Sequence, residues 1–104
     1  MQERNSGAGR PKGSKTYDPL PAKAFGAAVL AIRLGKSETQ EEVGGRAGIE
    51  RAHWSKIERG KHMPNLAMII RIAAAMECSA AELVAETEKR LALLRSDDAD
   101  GGRP

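Results

Sequence analysis

Between Thr39 and Gly60 the chain carries, in quick succession, a helix start, a glycine turn and a helix stop. Thr39, with Glu42 three residues on, has the pattern of a capping box, in which hydroxyl and carboxylate each take the other residue's backbone amide. Val43 and Ala47 supply the inner face of that short helix. Gly48-Ile49 makes a tight turn, and a second helix is predicted from about Glu50 to Arg59, with Trp54 and Ile57 facing inward and Gly60 ending it. Two short helices joined this way form a helix-turn-helix, whose second helix has its N-terminal turn free to enter a groove of about 12 Å. Generic helical hairpins share that outline, so periodicity alone leaves the two apart by little.

The flanking segments must bury this pair, and their pattern is helical throughout. The Asp-Pro-Leu-Pro step at 18–21 suits the start of a helix. From Ala22 to about Leu34, Phe25, Val29 and Ile32 recur at helical spacing, and Gly35-Lys36 ends the run. After Pro64, Asn65 caps a fourth helix through Leu66, Ile69, Ile70, Ile72 and Ala73. Ser79 with Glu82 repeats the capping box and starts a fifth helix through Leu83, Val84, Leu91 and Leu94. With no strand signal, the expected fold is all-α with five helices. The expected organisation is a flexible basic arm at 1–18, one helical domain with an extended last helix at 19–95, and a disordered acidic tail at 96–104.

A chain of 104 residues suits one domain with one modest core. Its net charge of +3 is unevenly spread: eight Lys or Arg face five acids from Lys23 to Lys61, and seven acids face four bases from Glu77 onward. A basic middle and an acidic end suggest a polyanion-facing surface followed by a solvating tail, with an ordinary mixed surface as the bland alternative. The lone Cys78 leaves no disulfide framework and reads as a small buried hydrophobe. His53 and His62 lack thiolate neighbours at ligand spacing, so no metal site is expected. Glu41-Glu42 suits capping and the helix dipole better than paired-carboxylate catalysis, and no phosphate loop or nucleophile motif is present. The expectation is therefore no enzyme and no cofactor. With no signal peptide or membrane span in the sequence, a cytoplasmic setting is expected, without a small-molecule effector domain.

The residues themselves go further than the pattern. Thr39-Gln40-Glu41-Glu42-Val43, Arg46-Ala47-Gly48-Ile49 and the run from Ser55 to Lys61 resemble the phage repressor and Cro-type (XRE-like) helix-turn-helix family. Met63 to Leu66, Ile72-Ala73 and Ser79 to Leu83 continue the likeness, which covers about Phe25 to Val84. The resemblance implies a lambda-repressor-like domain that regulates transcription by binding double-stranded DNA, as a homodimer on a pseudo-palindrome. It implies base-reading positions at Glu50, Arg51, Ala52 and Lys56. Arg51 then suits guanine, Ala52 a thymine methyl and Glu50 a cytosine amine. Thr39, Gln40, Arg59, Lys61, His62 and Asn65 fall where the family meets the DNA backbone, Gln40 also bracing the recognition helix, and Arg33 with Glu58 where related domains form an ion pair orienting that helix. A surface charge pair worth about 0–1 kcal/mol is the alternative for that last couple.

Departures matter too. Gly44-Gly45 stands where better helix formers are usual, Glu38 where an apolar residue is usual, and Trp54 is larger than the usual aliphatic residue, which requires a remodelled core around it. In the arm, Gly9-Arg10-Pro11-Lys12-Gly13-Ser14-Lys15 resembles an AT-hook, which implies minor-groove contacts from Arg10, Lys12 and Lys15. Ala8 replaces that motif's usual first arginine, and a basic solubilising tail is the competing reading. Leu83, Leu91 and Leu94, with Leu93, exceed what one small core absorbs and are expected at a dimer interface. A protein-interaction module of the same fold, such as an antitoxin-like partner or a scaffold, is the rival function.

Overall fold

The computed structural model describes residues 18–101, with side chains to residue 97. Five helices follow one another: α1 (Leu20–Gly35), α2 (Gln40–Ala47), α3 (Arg51–Glu58), α4 (Leu66–Ala75) and α5 (Ala80–Gly101). Among the described residues there is no strand, and the expected all-α architecture of five helices is the one observed.

Local signals set most of the boundaries. Asp18 Oδ1 accepts from the Leu20 amide at 3.0 Å, and Pro21 occupies the first turn of α1, where its missing N–H costs nothing. Both expected capping boxes are closed. Thr39 Oγ1 accepts from the Glu42 amide at 3.0 Å while the Thr39 amide donates to Glu42 Oε1 at 2.9 Å. Ser79 and Glu82 repeat this at 3.0 and 2.8 Å. Gly48 ends α2 at φ 71°, a left-handed conformation that glycine adopts at low cost. Ser37 (φ 56°) and Glu77 (φ 59°) occupy the same region after α1 and α4, where the amides one residue on donate back to the Arg33 and Ala73 carbonyls. Lys36 Nζ donates to the Met76 carbonyl at 2.6 Å and pins the end of α4 to the end of α1.

The core lies between α1, α2, α3, α4 and the first turns of α5. Trp54, Phe25, Ile57, Ile72, Met76, Leu83, Val29 and Val43 are its largest fully buried side chains. α1 approaches α3 so closely at Gly26 that a Cβ there would lie 2.7 Å from the Glu58 carbonyl oxygen. Trp54 is accommodated without exposure, so the larger ring fills the core rather than the surface.

One expectation needs correction. Leu83 is fully buried in this chain's own core, so it has no surface to give to a dimer interface. α5 runs on through residues 96–101.

Candidate nucleic-acid interface

α2 and α3 form the helix-turn-helix, and α3 turns one side to solvent. Arg51, Ala52 and Lys56 are exposed on it, while Trp54 and Ile57 on the opposite side are fully buried. Glu50 is the exposed N-cap of α3, and its side chain makes no capping bond, in keeping with a carboxylate that caps poorly here. Gln40, Arg51, Ala52, Ser55 and Arg59 line a shallow depression of about 290 Å³ between the start of α2 and the outer side of α3. Ser55, which sequence reasoning passed over, therefore shares a concave surface with two of the expected base readers.

The orientation of α3 is fixed by one carboxylate. Glu58 Oε1 accepts from Arg33 Nη2 at 2.9 Å and from Gln40 Nε2 at 2.8 Å. Its Oε2 accepts from Arg33 Nε at 2.6 Å and from Trp54 Nε1 at 2.6 Å. α1, α2 and α3 thus each contribute a donor, and the accepting capacity of both oxygens is used. The side chains of Arg33 and Glu58 are only 10% and 4% exposed, which removes the reading as a weak surface pair. Burial pushes the Glu58 carboxyl up, but the hydrogen bonds from Arg33, Gln40 and Trp54, with the arginine's charge, outweigh it and hold the group below its ordinary value. Arg33 is pushed up by the same bond. Arg33 Nη1 also donates to the Glu38 carbonyl at 2.8 Å, tying in the loop between α1 and α2.

That loop does not suffer from Glu38 in a place where an apolar residue is usual. Glu38 Oε2 accepts from Arg46 Nη2 at 2.6 Å, and Arg46 Nε donates to the Ala75 carbonyl at 3.0 Å. An ion pair and a helix-end contact stand in for apolar packing.

The remaining expected positions surround α3 without all being free. Thr39 is committed to its capping box, and Gln40 gives one amide hydrogen to Glu58 and keeps the second. Asn65 caps α4 by accepting from the Met68 amide at 2.9 Å. Arg59 and Lys61 are exposed, and the amide of Gly60 donates to the Ile57 carbonyl as α3 closes. His62 is half-buried, its ring set edge-on to that of His53 with centroids 4.8 Å apart. Leu91 and Leu94 are half-buried on α5, and Leu93 is 62% exposed. Cys78 packs half-buried against the core, and burial pushes its thiol up, which fits a small hydrophobe better than a reactive group. Arg10, Lys12 and Lys15 lie outside the described residues. Among the described residues there is no cluster of three metal-ligating side chains, and no helix is long and apolar enough to cross a membrane.

The profile of a family described as "Helix-turn-helix domain" matches residues 24–86. The chain belongs to the helix-turn-helix family of DNA-binding regulators. It is a family of regulators, not of enzymes. The chain is 34% identical over 67 residues to an uncharacterized HTH-type transcriptional regulator, y4dJ, of Sinorhizobium fredii, covering 64% of this chain and 87% of that protein. In fold it is similar to the clp gene regulator ClgR from Corynebacterium glutamicum, with a TM-score of 0.74 at 24% identity over 82% of this chain and 90% of that one. It is also similar in fold to the restriction-modification controller protein C.Esp1396I, solved as a tetramer on its natural 35 base-pair operator (TM-score 0.64, 22% identity, 68% of this chain and 93% of that one).

Proposed function

We propose that the protein is a sequence-specific transcriptional regulator that acts as a homodimer, laying α3 of each copy in the major groove of a pseudo-palindromic duplex site. The observation that carries this is the exposed side of α3, with Arg51, Ala52 and Lys56 together, on a helix whose axis is locked by four hydrogen bonds to Glu58. Arg51 forks onto guanine N7 and O6, Ala52 meets a thymine methyl, Glu50 accepts from a cytosine amine, and Lys56 reaches a base further along. Thr39, Gln40, Arg59, Lys61, His62 and Asn65 set the register on the phosphates, helped by the free amides at the start of α2. Arg10, Lys12 and Lys15 add an arm contact in an adjacent A·T-rich minor groove. The fold neighbour on an operator supports multimeric binding to duplex DNA, and a cytoplasmic, nucleoid-associated setting fits that reading.

Base readers and backbone contacts separate in a titration. On the best site, Arg51→Ala costs about 1–3 kcal/mol and relaxes choice at one position, measured by fluorescence anisotropy. Lys61→Ala weakens all sequences alike and lowers the salt slope by about one. Unchanged binding by Arg51→Ala removes Arg51 from the readers. No binding of the wild-type protein to any duplex at low salt overturns the proposal in favour of a protein-interaction module.

A further inference from the structure

Lys23 and Ala27 stand one turn apart on α1, and Arg90 stands one turn before Leu93 and Leu94 on α5. Where the two helices pack, these five residues line a groove of about 260 Å³. The methyl group of Ala27 leaves the space open, and the two leucines wall it. Both charged residues of the lining are cations. The frame around them is fixed. Lys23 lies so close to Gly60, at the end of α3, that a Cβ there would meet the Lys23 Cα at 2.9 Å. Arg95 Nη2 meets Asp18 Oδ2 at 2.9 Å and ties the far part of α5 to the start of α1. Arg90 is held through its Nε by Glu86 Oε2 at 2.8 Å, a bond that does not use its two terminal nitrogens.

The geometry points to a binding site for a small amphipathic monocarboxylate, with its hydrocarbon body in the groove and its carboxylate between Lys23 and Arg90. The lining selects both halves of that molecule. A bare phosphate or sulfate would lose water against Ala27, Leu93 and Leu94 and gain nothing there. An ammonium would meet charges of its own sign. A hydrocarbon body with one carboxylate buries apolar surface and takes charge-assisted hydrogen bonds at the rim. At the ~30 Å³ that a water takes in the liquid, the groove has room for about nine heavy atoms, which sets the length near that of octanoate. The chain's own first 17 residues carry four bases against one acid, the same sign as the rim, and are no match for it. The groove lies away from the outer side of α3, so the proposal holds whether or not that helix reads DNA.

Isothermal titration of the full chain with sodium octanoate tests the site, beside butanoate, octylamine and 1-octanol. Octanoate should bind one to one. Butanoate should bind at least about tenfold more weakly, because its short chain leaves the leucines bare. Octylamine and octanol should be at least about tenfold weaker too, for want of the negative charge. Lys23→Gln and Arg90→Gln should each weaken octanoate about tenfold and leave octanol unchanged, whereas Leu93→Ala should weaken both. No binding of octanoate overturns the proposal, as does equal binding of octylamine or octanol. Octanoate binding that survives undiminished in both charge variants overturns it as well. Octanoate affinity that falls as protein concentration rises puts a second copy in the groove and has the same consequence.

Discussion

Glu58 is the residue on which the orientation of α3 turns, and its chemistry sets a pH signature. The carboxyl is held below its ordinary value of 4.5, so the stability it contributes is fully present above that value and is lost as the pH falls through the lower, folded one. Glu82 and Glu86 are also held low, by the Ser79 amide and by Arg90 respectively. The difference between wild type and Glu58→Gln isolates the one group. Above pH 4.5 the variant should be less stable by about 3–5 kcal/mol, because the Arg33 guanidinium is left buried and unpaired. Below that pH the gap should narrow, as read from urea midpoints across an acid series. A gap that stays constant through the acid range would mean that Glu58 keeps its charge state there. The Arg33–Glu58 couple was legible from the family resemblance, but the bond from Trp54 was not. Trp54 looked like core because Ile57 follows on the same face, and nothing in one-dimensional spacing shows an indole N–H reaching a carboxylate four residues on. Gln40 was expected both at a phosphate and as a brace for the recognition helix, and its bond to Glu58 is that brace; which atom it meets depends on the crossing of α2 and α3, which exists only once the core has formed.

At the scale of elements, what sequence supplied was local chemistry. The capping boxes at Thr39 and Ser79, the Asn65 cap and the glycines at 48 and 60 each act within a few residues, so they read directly as helix ends. Contacts across the chain read less well. Gly26 gives no sign in the sequence that it sits against the last carbonyls of α3, and Glu38 looked misplaced until its partner Arg46 came from eight residues away. The Gly44-Gly45 step, puzzling as sequence, divides into two cases. A Cβ at Gly44 would lie 2.8 Å from the Ile49 carbonyl oxygen, in backbone that has little room to yield, whereas a Cβ at Gly45 meets nothing within 4 Å. Gly45→Ala should therefore stabilise α2 by about 0.5–1 kcal/mol through helix propensity. Gly44→Ala should destabilise by roughly 1–3 kcal/mol through overpacking. Thermal midpoints that shift in opposite directions support this division, and a common sign contradicts it.

For the whole molecule, the parts converge on one surface. α1, α2 and α3 meet at a single buried carboxylate, α4 closes the core behind them, and α5 packs along α1. Such an arrangement holds α3 rigid against the rest of the domain. Selection of bound sites from random duplex DNA, run in parallel with wild type and Arg51→Ala, tests the central claim most directly. The wild-type protein should enrich a pseudo-palindrome with half-sites about 10 base pairs apart, or a multiple of that. Arg51→Ala should lose preference at one matching position in each half. Enrichment of no sequence by the wild type, or of an unchanged sequence by the variant, would contradict α3 as the reader.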